Sequence, residues 1–141
     1  IGAVLLSERV AAAVAPGDHG STFAGAPLVC AAANYTLDRL RDEAFLDNVQ
    51  AMGERLRAGL RELAEPRGLA VRGEGLLIGL VFPEAAACSS VQRAAQDAGL
   101  LLLTAGAGNV LRMAPALTVA AGDVDLALAR LREALEAAGP A

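Results

Sequence analysis

One apolar stripe constrains this chain more than any other feature. Phe45, Val49, Met52, Leu56, Leu60 and Leu63 recur at steps of four, three, four, four and three, the spacing that lines up side chains on one face of an α-helix. The predicted helix runs from about Asp42 to Glu65. Arg55, Arg57, Arg61, Glu54 and Glu62 fall mainly off the stripe, and Pro66 and Gly68 end it. A helix of this length must bury its stripe against something. Pro66 is therefore the expected boundary between residues 1–66 and residues 67–141.

Beyond it the pattern changes. "LAVRGEGLLIGLVF" offers two β-rich pieces, Leu69–Arg72 and Leu76–Phe82, broken by Gly73 and Gly75. Ser89 or Ser90 can cap a helix that runs to Ala98 and closes at Gly99. "LLLLT" and "NVLRM" read as two strands joined by the small-residue turn "AGAG". Asp123 is the expected cap of a last helix, whose Val124, Leu128, Leu131 and Leu135 form a buried face. The order β-β-α-β-β-α predicts an α+β sandwich with helices on one face of a mainly antiparallel sheet.

Composition narrows the function. Hydrophobic residues make up 55% of the 141, much of it alanine, and only 3% are aromatic, which favours Ala-Leu-Arg helices over a β-sandwich. Net charge is −4 with a pI near 4.9 and the arginines are scattered, so nothing points to nucleic-acid or anionic-membrane binding. Cys30 and Cys88 fit no metal-ligand spacing and sit in predicted helices. They read as reduced thiols of a cytosolic protein. The apolar runs are too short to span a bilayer, and "IGAVLLSERV" lacks the basic start of a signal peptide. "IGAVLL" reads as a strand entered partway, "AVLLSERVAAAV" as a strand followed by a short helical turn, and "LREALEAAGPA" as a helix stopped by Gly139 and Pro140. The chain is expected to be the C-terminal part of something longer.

The stretch "PGDHGSTFAGAPLVCAAA", Pro16 to Ala33, gathers three glycines around the single histidine, His19, followed by Ser21 and Thr22. Asp18, His19 and Ser21 make a poor triad, because side chains so close in sequence rarely converge on one point. Hydroxyls, small residues and a following helix that begins at Pro27 suit a phosphate cradle. It is no P-loop, since the chain contains no lysine at all. On these residues alone, a glycine-rich connector fits as well.

The same stretch closely resembles a segment of the class III pyridoxal-phosphate aminotransferases, Pro-Gly-x-His-Gly-Ser/Thr-Thr-Phe-Gly-Gly-Asn-Pro-Leu-x-x-Ala-Ala. "VRGEGLLIGLVF" resembles the family's Val-Arg-Gly-x-Gly-Leu-Met-x-Gly strand pair, and "VLRMAPALTV" its Val-Arg-Leu-x-Pro-Pro-Leu segment. "IGA" at Ile1–Ala3 looks like the tail of its Lys-Gly-Leu-Gly-Gly-Gly-x-Pro-Ile-Gly-Ala stretch. Together, in the family's order, they cover the chain from end to end.

The resemblance implies an α/β protein of the fold type I pyridoxal-phosphate transferases: the end of the large domain, a connecting helix and the small C-terminal domain. It implies pyridoxal 5'-phosphate as cofactor, held through a lysine amine upstream of Ile1, so this chain alone should be inactive. Within the family the pattern is nearest to members acting on N-acetylornithine, with 2-oxoglutarate as acceptor, in arginine biosynthesis. Succinylornithine, ornithine and 4-aminobutyrate are the alternatives. By the resemblance, Thr22 contacts the cofactor phosphate of the neighbouring subunit, which makes a cytoplasmic homodimer with shared active sites the expected assembly. Ser21 matches a position touching the acylated amino-acid substrate. Arg112 faces the active site, gripping a substrate carboxylate or pairing with a gating glutamate; an edge-strand arginine paired to a nearby carboxylate is the plainer reading. His19 and Arg72 take structural roles. Departures are Ala24-Gly25-Ala26 for Gly-Gly-Asn, which removes a hydrogen-bonding side chain, and Ala116 for the second proline. A non-catalytic α+β ligand-binding or interaction module is the rival from another class.

Overall fold

The computed structural model describes residues 1–22 and 24–139. They form two compact units, Ile1–Glu43 and Ala44–Ala141.

The first unit carries α1 (Glu8–Ala11) and α2 (Pro27–Leu40). Pro27 occupies the first turn of α2 as expected, where its missing N–H costs nothing. The strand expected ahead of α1 is not formed: residues 1–7 carry no regular structure, and Leu5 is fully exposed. A strand needs a hydrogen-bonding neighbour, and none of the described residues pairs with this segment. No side chain described in this unit is buried.

The second unit is built on α3 (Glu43–Ala64), whose first residue belongs to the preceding unit. Leu56, Leu60 and Leu63 of the predicted stripe are buried. A short 3₁₀ turn, Glu65–Arg67, ends the helix, and Leu69 N–H donates back to the Ala64 carbonyl at 3.1 Å. The division into compact units falls ahead of Pro66 because the stripe packs into the core made by the elements that follow it.

Those elements are β1 (Ala70–Glu74), β2 (Leu77–Val81), α4 (Ala85–Asp97), β3 (Leu103–Ala105), β4 (Val110–Met113) and α5 (Ala121–Ala137). The predicted order holds. The sheet is antiparallel throughout, in the order β1-β2-β4-β3. Strand alternation sends Ile78, Leu80, Leu111 and Met113 to the inner face. There they meet buried side chains of all three helices, among them Leu60, Cys88, Val91 and Leu131. The outer face keeps Arg72, Leu77, Leu103 and Arg112 exposed.

Three local expectations are corrected. β1 runs through Gly73 rather than breaking there. Gly73 takes φ +119°, and a Cβ there would collide with the Leu77 carbonyl oxygen, so only a residue without Cβ fits. The helix expected from Ser89 or Ser90 starts earlier, at Ala85, since three consecutive alanines favour helix without a side-chain cap. Asp123 is not the cap of α5 but its third residue, where its carboxylate accepts from the Ala120 N–H at 3.2 Å. Gly139 follows α5 as expected; Phe23, Pro140 and Ala141 lie outside the described residues.

Two contacts fix the helices. Gly53 of α3 backs onto the β1–β2 turn, where a Cβ would stand 2.6 Å from the Gly75 carbonyl oxygen. Arg55 Nε and Nη2 donate to the two Asp125 carboxylate oxygens, each at 2.7 Å, tying α3 to α5. These hydrogen bonds, aided by the charge, hold the Asp125 carboxyl below its ordinary range. The pair's contribution is therefore present at neutral pH and lost as pH falls through that lowered value. Both partners are exposed, so it is small.

Burial pushes the Cys88 thiol up. In the native protein at neutral pH, a thiol reagent should modify half-buried Cys30 and leave Cys88 untouched until denaturant is added. Equal rates for both in native buffer would show that α4 is not packed as described. No helix among the described residues is long and apolar enough to cross a membrane.

Candidate functional site

In the first unit the glycine-rich stretch is a run of tight turns. Asp18 N–H donates to the Ala15 carbonyl at 3.1 Å, and Ala15 N–H donates to Asp18 Oδ2 at 2.7 Å. The Asp18 carboxylate thus closes its own turn, as short acidic side chains do, instead of orienting His19. Gly17 at φ +101° and Gly25 at φ +68° bracket the segment, and both need the left-handed region that side chains avoid. Between them the Ala24 N–H donates to the Ser21 carbonyl at 3.2 Å, so Thr22 sits inside a turn. Ser21 and Thr22 are both exposed, as is His19. The turn leads into the first turn of α2.

Arg112 lies in the second unit, on β4. This strand is internal to the sheet, flanked by β2 and β3, so the edge-strand reading does not hold. Arg112 stands opposite Gly79 on one side and Leu103 on the other. It is exposed and makes no ion pair among the described residues.

Register adds a residue that the sequence left in a structural role. Arg72 on β1 pairs with Gly79 on β2, and Gly79 pairs with Arg112 on β4. The two arginines therefore occupy one transverse row on the outer face. Pairing register across two hairpins carries this, and nothing in the spacing along the chain reveals it.

Behind the row, Phe82 N–H donates to the Asn109 carbonyl at 2.8 Å, and Asn109 Nδ2 donates to the Phe82 carbonyl at 3.2 Å. This clasp joins the ends of β2 and β4 and fixes the strand that carries Arg112.

The family model described as aminotransferase class-III matches residues 1–135. Acetylornithine aminotransferase from Streptomyces coelicolor is 44% identical over 138 residues, 98% of this chain and 34% of the relative. The Neisseria meningitidis serogroup B protein of the same name is 42% identical, over 96% of this chain and 35% of its own length. Among solved structures, acetylornithine aminotransferase from Elizabethkingia anophelis superposes with a TM-score of 0.76 at 28% identity, covering 94% of this chain and 36% of that one. A lysine aminotransferase from M. tuberculosis gives 0.76 at 29% identity, covering 87% and 29%. The chain spans about a third of the length of the curated relatives it matches.

Proposed function

Because the chain belongs to the aminotransferase class-III family, we propose that it is the C-terminal portion of a pyridoxal-phosphate-dependent aminotransferase. The reaction is transfer of the δ-amino group of N-acetylornithine to 2-oxoglutarate, in arginine biosynthesis, by a cytoplasmic homodimer with shared active sites. In this reading residues 1–66 end the large domain and residues 67–141 are the small one. The observation that carries it is 38–44% identity to eight acetylornithine aminotransferases, each matched over 84% or more of this chain.

The residues present fit one end of the cofactor. Thr22 offers an exposed hydroxyl in a glycine-bracketed turn, and such a donor suits a phosphate because it adds no charge of its own. No lysine occurs among the 141 residues, so the side-chain amine that would hold the cofactor covalently belongs to another part of the protein. When bound, the cofactor supplies the electron sink for amino transfer. Ser21 contacts the acylated end of the amino donor, and Arg112 holds a substrate carboxylate through its planar guanidinium.

The test is a chimera in which this chain replaces the 138 residues it matches in the Streptomyces coelicolor relative. The chimera is expected to transaminate N-acetylornithine with 2-oxoglutarate, and the isolated chain to show no turnover. A folded chimera that accepts lysine but not N-acetylornithine would move the amino donor towards that of the M. tuberculosis neighbour. In the chimera, Thr22→Ala should weaken cofactor retention about 10- to 150-fold, as expected for a charge-assisted hydrogen bond of about 1.5–3 kcal/mol. Equal retention by both proteins would take Thr22 out of the phosphate site.

A further inference from the structure

Strand β4 is joined to β3 by a turn, but its other neighbour, β2, lies on the far side of α4 in the chain. A hairpin turn fixes the register of the strands it joins. No turn does this for β2 and β4, so their register rests on what they place against each other. Apolar alternation alone does not fix it. Leu111 and Met113 point inward and Val110 and Arg112 outward, so a slip of one residue would bury Arg112. A slip of two keeps every side chain on its own face, yet brings Arg112 opposite Leu77 or Val81 instead of Gly79.

Two contacts oppose that slip. At one end, Asn109 Nδ2 donates to the Phe82 carbonyl at 3.2 Å, while the Phe82 N–H donates to the Asn109 carbonyl at 2.8 Å. The Asn109 side chain thereby supplies the second bond that such a pair normally draws from the main chain. Only at this register do Phe82 and Asn109 stand opposite each other. On the outer face, Val110 Cγ1 lies 2.6 Å from where a Cβ of Gly79 would be. Of the outward residues of β2, which are Leu77, Gly79 and Val81, only the glycine leaves that seat open.

We propose that Asn109 is a positioning residue for Arg112. Its clasp on Phe82, with the seat that Gly79 gives Val110, holds β4 at the register that puts Arg112 opposite Gly79. The inference rests on the aminotransferase reading only for what Arg112 does at that place. It assigns Asn109 no contact with substrate or cofactor.

Asn109→Asp keeps the shape of the side chain and removes the donor, since a carboxylate only accepts. Phe82 and Asn109 form a hydrogen-bonded pair, so alternation along the ladder makes Gly79 and Arg112 a close pair whose α-protons give a strong NMR contact. In the full 141-residue chain that contact should weaken in Asn109→Asp. Gly79→Ala should weaken it as well, and adding Val110→Ala should restore it, which keeps the test decisive if the first variant does not fold. Function is read in the chimera. There Asn109→Asp is expected to lower kcat/KM for 2-oxoglutarate about 2- to 10-fold, the scale of one neutral hydrogen bond. It should cause no further loss in the Arg112→Gln background, whereas a general weakening of the fold would multiply the two losses. An undiminished α-proton contact, an unchanged kcat/KM in an active chimera, or losses that multiply would each overturn the proposal. A chimera without turnover sinks the aminotransferase reading alone and leaves the register measurement to decide this one.

Discussion

Truncating Phe82 to alanine is expected to lower the stability of the protein by about 3–5 kcal/mol. Phe82 is the largest of the fully buried side chains, and its removal leaves a hole between sheet and helices that close packing cannot refill. A domain of this size has about 5–15 kcal/mol in all, so much of the margin would go. The midpoint of urea unfolding reads the effect. Leu101→Ala is the control: that side chain is 83% exposed and its loss should change stability by no more than about 0.5 kcal/mol. Similar shifts for the two variants would mean that the core does not lie where these residues put it. The Phe82–Asn109 clasp uses only main-chain groups of Phe82 and is kept in the variant.

The second large effect is on turnover. In the chimera, Arg112→Gln is expected to lower kcat/KM for 2-oxoglutarate about 10- to 150-fold, the equivalent of losing about 1.5–3 kcal/mol of charge-assisted hydrogen bonding. Arg112→Lys should recover little of it, because an ammonium cannot reproduce a two-pronged guanidinium contact. Unaltered steady-state constants in both variants, with the fold intact, would return Arg112 to an ordinary surface role.

Much of the fold is legible in the sequence where periodicity and turn chemistry agree. The stripe from Phe45 to Leu63 and the Pro-Gly stop locate α3 to within two residues at either end. The alternation in "LLIGLVF" and "NVLRM" gives two strands of the sheet. What local rules miss depends on partners. Residues 1–7 have strand-like composition but no paired neighbour among the described residues, so the composition is not expressed. Ser89 and Ser90 look like caps, yet the alanines before them already favour helix. Gly73 looks like a break, but its pairing with Ile78 keeps it in the strand.

The candidate site is legible to the same degree. Ser21, Thr22 and Arg112 stand out by residue type and by their motifs. Arg72 does not, because its pairing with Gly79, and through it with Arg112, is set by register, which no single segment encodes. The closure of Asp18 on Ala15 is also a turn property, invisible until the backbone is placed.

The first unit has a consequence for the order of assembly. From Ala44 onward the chain can close its interior unaided, while the described residues from Ile1 to Glu43 bury nothing of their own. In the proposed reading most of the large domain is made before this stretch, which therefore orders against a surface supplied from outside it. On the role proposed for Thr22, phosphate capture by the turn that holds it would then report completed assembly rather than completed translation.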